Sequence, residues 1–180
     1  FVAEDRRADS LAAYYRALTA EQRAALKAVA MDMWPAYIRA TCDELPAGDT
    51  KIVFDRFHIM REMTRAVDTV RKQEHRALLR EHGTSPLTGT KYLWLYGEER
   101  LPADRTDAFA ALQAQHLKVG RAWAIKESLR DLWTYRQGAA VRRFFAQWYG
   151  WAIRSRLEPV KQVARMLHRH LDGVLRYVKH

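Results

Sequence analysis

Two stretches of this chain, Ala28-Val29-Ala30-Met31-Asp32 and Lys51-Ile52-Val53-Phe54-Asp55, each run apolar residues straight into an aspartate. The second is β-branched and aromatic, which reads as a strand. The first is short enough for a buried strand, although its alanines leave a helical end open as an alternative. Between them Pro35 sits where a first helical turn tolerates it, and Tyr37, Ile38 and Leu45 continue that helix. Pro46-Ala47-Gly48-Asp49 reads as a turn. Strand, aspartate, helix, strand, aspartate within about 30 residues is the length of a βαβ module. If the strands pair in parallel, Asp32 and Asp55 share the carboxyl rim where α/β proteins usually place their sites.

Working outward, Leu11, Tyr14, Tyr15 and Leu18 recur at helical spacing, and Thr19-Ala20-Glu21-Gln22 has the form of a capping box. Everything beyond His58 reads as helical. Ile59, Met63, Ala66, Val67 and Val70 make one stripe, and that helix runs to the break at Gly83-Thr84-Ser85-Pro86. Residues 87–102 read as irregular around the aromatic stretch 91–96. Further helices are expected from Asp104 to about Leu117, Val119 to Tyr135, Gly138 to about Leu157, and Pro159 to near Lys179. The expected fold is therefore a partial α/β unit over residues 1–58 followed by a mainly helical, basic region over 59–180, predominantly helical overall.

Charge divides unevenly. Residues 1–54 carry seven Lys/Arg against eight Asp/Glu, a net −1, whereas residues 55–180 carry 24 against 13, a net +11. Arginine dominates the basic part, and its planar fork favours bidentate phosphate contact. A polyanionic partner is one implication; a solvated helical surface is the plainer one. No apolar run approaches the roughly 18 residues of a membrane span. The sole cysteine, Cys42, cannot form an internal disulfide, which suits a reducing, cytoplasmic compartment. The chain opens at Phe1 without an initiator Met or a signal-peptide pattern, suggesting processing or a segment of a longer chain.

The run Met31-Asp32-Met33-Trp34-Pro35-Ala36-Tyr37, followed by Ile52-Val53-Phe54-Asp55-Arg56-Phe57-His58-Ile59, resembles segments of DDE-type bacterial insertion-sequence transposases with a ribonuclease-H-like catalytic core. The likeness continues in order through Ala66-Val67-Asp68-Thr69-Val70-Arg71-Lys72-Gln73-Glu74, Lys91-Tyr92-Leu93-Trp94-Leu95 and Arg121-Ala122-Trp123-Ala124-Ile125-Lys126-Glu127. It extends to 151–157 and 170–175. The resemblance implies an enzyme that cuts and joins DNA at mobile-element ends, with three acids holding two Mg²⁺ ions. It makes Asp32 the second of those acids, hence a catalytic residue and metal ligand. Asp55 and His58 form a D-x-x-H pair expected near the site, shaping it or contacting DNA. The alternative is that Asp55 caps the next helix and His58 packs on its first turn.

The first family acid has no counterpart here. Glu4 and Asp5 fall in a stretch resembling the family's later V-A-E-x-R run, and the third acid is expected beyond His180. The isolated segment is accordingly expected to be inactive. The resemblance also marks the helical region as an insertion, and Arg142, Arg143, Arg154, Arg156, Arg165, Arg169 and Arg176 as candidates to track DNA phosphates. Homo-oligomerisation is an expectation of the same kind. Glu127 and Glu158 are weaker candidates for an acid, since Glu on an Arg-rich helix usually pairs with its neighbours. His168 and His170 point to different sides of a helix, and His168 with Asp172 lacks a third ligand. Trp133, Trp148 and Trp151 read as core more readily than as a base-stacking platform. The rival functional reading is a basic nucleic-acid-binding module, from a degenerate or domesticated transposase or with no metal chemistry at all.

Overall fold

The computed structural model describes residues 8–179, so Glu4, Asp5 and His180 lie outside the described residues. The chain divides into two compact units, one of residues 1–59 with 170–180 and one of residues 60–169.

In the first unit, α1 (Ala8–Ala17) packs on α3 (Pro35–Glu44) through buried Tyr15, whose hydroxyl hydrogen-bonds Thr41 Oγ1 at 3.1 Å. Arg16 and Glu44 pair beside it. The expected capping box opens α2 (Ala20–Ala25): the Gln22 amide donates to Thr19 Oγ1 at 3.2 Å and the Thr19 amide to Gln22 Oε1 at 2.9 Å. Strands β1 (Val29–Met31) and β2 (Ile52–Phe54) pair in parallel, with Val29 opposite Ile52 and Met31 opposite Phe54. Pro35 takes the first turn of α3, as its missing amide permits. The turn at 46–49 tightens into α4 (Gly48–Lys51) after Ala47 at φ 53°. Glycine follows because a Cβ at position 48 would stand 2.1 Å from the Thr41 carbonyl oxygen.

The second unit holds most of α5 (Arg56–His82), with α6 (Lys91–Leu95), α7 (Thr106–Gln113), α8 (Lys118–Arg130), α9 (Gly138–Arg154) and α10 (Glu158–Arg169). The stripe Ile59, Met63, Ala66, Val67 and Val70 is buried throughout, as its spacing requires. Trp94, Phe109 and Trp123 meet edge to face at 4.9 and 5.1 Å.

The observed chain is predominantly helical with a small parallel sheet, as expected, but several boundaries differ, among them the helix expected to reach Tyr135, which ends at Arg130 and passes into a 3₁₀ turn at Asp131–Thr134. Residues 87–102 are not wholly irregular, since Trp94 is fully buried and draws 91–95 into a helix. The helix expected from Asp104 shortens to α7, entered by a 3₁₀ turn at Ala103–Arg105. The last helix does not run to Lys179. It breaks at His170, resumes as α11 (Leu171–Leu175) and ends in a 3₁₀ turn at Arg176–Lys179. This tail joins the first unit: His170 packs edge-on to Phe54 at 5.3 Å, and Arg176 donates to the Asp49 and Ile52 carbonyls. Arg176 is thus committed to the backbone beside β2.

Candidate functional site

The strand register extends one residue further. The Asp55 amide donates to the Met31 carbonyl at 2.9 Å, tying the backbone where Asp32 and Asp55 leave their strands. Both aspartates therefore emerge side by side on one rim, and both are half-buried. Each folds into the same local turn: Asp32 Oδ1 accepts the Trp34 amide at 3.3 Å, and Asp55 Oδ1 accepts the Phe57 amide at 2.8 Å.

The two differ in what remains available. Asp55 caps the start of α5 with one oxygen and binds His58 Nδ1 at 3.0 Å with the other. Its carboxylate is engaged on both oxygens by its own helix. Asp32 makes a single long bond to its own turn, and its second oxygen faces no hydrogen-bond donor among the described residues. Of the pair, Asp32 is the carboxylate with coordinating capacity to spare. A two-metal centre needs more, and the described residues contain no group of three Asp, Glu, His or Cys positioned to hold an ion. Asp32 is a single carboxylate with a free oxygen, and the described residues do not by themselves form such a centre.

The six arginines Arg142, Arg143, Arg154, Arg156, Arg165 and Arg169 are all exposed. Arg142 and Arg143 lie in the second turn of α9, and Arg154 ends it. Arg156 follows in a tight turn at φ 60°, fixed by Ser155 Oγ donating to the Ala152 carbonyl at 2.6 Å and accepting the Leu157 amide at 3.2 Å. On α10, Arg165 is paired with Glu158 at 2.8 Å, alongside Lys161 at 2.8 Å. Arg169 borders a groove of about 510 Å³ shared with Glu62, Arg65, Thr69, Gln73 and Glu158, so its surroundings carry both signs.

The weaker candidates resolve into structure. Glu127 pairs with Lys126 at 3.0 Å and Arg130 at 3.8 Å, and Glu158 with Lys161 and Arg165. His168 stacks on Tyr149 at 4.6 Å, and the break at His170 removes the helical face it would have shared with Asp172. Trp148 is core, donating to the Ile125 carbonyl at 2.9 Å, whereas Trp151 is 38% exposed.

Two residues whose roles sequence reasoning missed organise the second unit. Glu74, nearly buried, accepts the Lys118 and Val119 amides at 2.7 and 2.8 Å and caps α8 across 44 and 45 residues of chain. Lys126 is 2% exposed and aims its ammonium at the Trp94, Leu95 and Tyr96 carbonyls, the last at 2.7 Å. Trp123 Nε1 donates to the Tyr96 carbonyl as well, at 3.2 Å. Burial pushes the Lys126 amine below its ordinary range, with Glu127 opposing. A lysine directly following the apolar run Ala122-Trp123-Ala124-Ile125 was the available signal.

The whole chain, residues 1–180, matches the model of a family described as transposase. The transposase for insertion sequence element IS1001 of Bordetella parapertussis is 24% identical over 182 residues, covering 100% of this chain. The chain spans 44% of that relative's length. No solved structure matches the chain. No helix among the described residues is long and apolar enough to cross a membrane.

Proposed function

Because the chain belongs to the transposase family, we propose that it serves DNA strand cleavage and joining at mobile-element ends, with Asp32 as one acidic ligand of a two-Mg²⁺ centre. The observation that carries this reading is the asymmetry on the rim: Asp55 is spent on its helix and His58, while Asp32 keeps an oxygen for an outside partner. Hard carboxylate oxygens at strand ends suit Mg²⁺, whose chemistry in such a centre is to stabilise the charge passing between phosphodiester oxygens. The remaining acids, in this reading, come from residues other than the described ones, and the present residues alone bind DNA without cutting it. A ribonuclease-H-like sheet would contain β1 and β2 as neighbouring strands. Asp55 and His58 act as a positioning pair that sets the start of α5 beside Asp32. The exposed arginines among Arg142, Arg143, Arg154, Arg156, Arg165 and Arg169 supply phosphate contacts, and the active protein works as a homo-oligomer in the cytoplasm.

The test is excision of the cognate element from a plasmid by the full-length transposase carrying Asp32→Asn. Excision should fall at least ~100-fold, the scale of losing a metal ligand's second-shell partner or worse, with binding to element ends retained. Excision at the unsubstituted rate sinks the assignment of Asp32. Equal loss of DNA binding would instead favour the reading of a basic binding module without metal chemistry.

A further inference from the structure

The outward face of α9 combines arginines, small residues and a glutamine, with no carboxylate. Its buried face is Val141, Phe145, Trp148 and Ala152. Directly opposite, at 100° per residue, stand Ala139, Arg143, Ala146, Gln147, Gly150 and Arg154. Trp151 flanks this crest, 38% exposed. No Asp or Glu occurs anywhere in the 17 residues of the helix. The next carboxylates along the chain are Asp131 and Glu158, and Glu158 is already held by Lys161 and Arg165. No ion pair joins Arg143 or Arg154 to a carboxylate among the described residues, whereas Arg65 and Arg105 each pair with one.

Small residues line the crest. Gly150 lies under the Arg154 guanidinium, whose Nη1 would stand 3.1 Å from a Cβ placed there. Alanine at 139 and 146 keeps the rest of the ridge low. A flat, acid-free ridge with arginines about 16 Å apart along the axis, three helical turns, presents fixed positive charge to an anionic partner. It leaves two guanidinium groups unneutralised and half-exposes an indole.

We propose that the crest of α9 is a duplex-DNA docking face, with Arg143 and Arg154 on backbone phosphates, Gln147 between them and Trp151 packed on the sugar-phosphate edge. This rests on the DNA reading above and goes further, because it assigns the contact to one helix face and adds Gln147 and Trp151. Arginine fits because its fork holds phosphate bidentately, and small residues let the helix axis approach the duplex.

The test is fluorescence anisotropy of the 180-residue chain on a labelled 30-bp duplex over a salt series, folding of each variant being checked by circular dichroism. Each phosphate contact contributes about 0.9 to the slope of log K against log salt. Arg143→Ala and Arg154→Ala should each reduce the slope by about 0.9, and the double variant by about 1.8. Gln147→Glu, isosteric but anionic, should weaken binding at least as much as either. Trp151→Ala should weaken binding several-fold with the slope unchanged, and Arg105→Ala should match the unsubstituted chain. If binding persists with the same slope in the double variant, the docking face is wrong, and the DNA reading stands on arginines other than Arg143 and Arg154. An equal slope loss in Arg105→Ala also overturns it, since the attraction would then be diffuse. No binding by the unsubstituted chain at low salt overturns both.

Discussion

Asp32 and Asp55 show how the same residue type, in the same local turn, acquires two jobs from what stands after it. Phe57 and His58 follow Asp55 into a helix, so its carboxylate caps the Phe57 amide at the start of α5 and holds the His58 ring. Asp32 is followed by Trp34 and Pro35, and proline at the first helical position needs no acceptor, so its carboxylate is left lightly used. The consequence is that structural duty falls on Asp55 and spare coordinating capacity on Asp32. Asp55→Ala should cost about 1 kcal/mol, the usual loss of a helix cap. Asp32→Ala should lie within about 0.5 kcal/mol of the unsubstituted chain, as surface positions without a structural duty do. Urea denaturation of the two variants measures both. A larger loss at Asp32 than at Asp55 would make Asp32 structural and remove the reason for preferring it as a ligand.

At the scale of the element, the short helix α6 is held mainly by partners from outside it. Five residues are too few for a helix to persist alone, and three of its trailing carbonyls converge on one buried ammonium. That ammonium titrates in a predictable direction. Burial lowers the Lys126 amine in the folded chain below its ordinary 10.5, so between the two values the unfolded chain binds more protons. Stability from this group therefore rises with pH across that window and levels off above 10.5. The difference in melting temperature between the unsubstituted chain and Lys126→Met should accordingly grow in favour of lysine as the pH is raised toward 10.5. A shrinking difference would mean that the carbonyls and Glu127 hold the cation more strongly than burial opposes it. This element also marks the limit of sequence reading. Strands β1 and β2, the capping box at Thr19 and the stripe on α5 follow from local pattern and were legible in advance. So was the shared rim of Asp32 and Asp55, because parallel pairing was the only added assumption. The cap that Glu74 gives α8 and the clasp that Lys126 gives α6 join residues about 30 to 45 positions apart. No local period announces them, and they appeared beforehand only as letters within matched runs.

For the molecule as a whole, the informative segment is the tail. Local pattern assigns residues 159–179 to a single amphipathic helix, and the apolar spacing of α10 supports that up to Leu167. Beyond Arg169 the contacts belong to the other compact unit. Gly173 is pressed onto Phe54 so closely that a Cβ would stand 2.5 Å from its ring, and Arg176 answers two carbonyls around α4 and β2. The unit bearing Asp32 thus depends on residues more than a hundred positions downstream of it, and its sheet edge is stabilised by a segment that the sequence presents as part of a helix elsewhere. Gly173→Val exploits this dependence. Overpacking against the Phe54 ring should cost about 1–3 kcal/mol, and the cost should fall on one unit. Amide hydrogen exchange is expected to show lost protection at Val53 and Phe54 and through α3, with the amides of α8 and α9 exchanging as before. Protection lost evenly across both units would show instead that they unfold as one cooperative body, and that the rim carrying Asp32 shares the stability of the helices that carry the arginines.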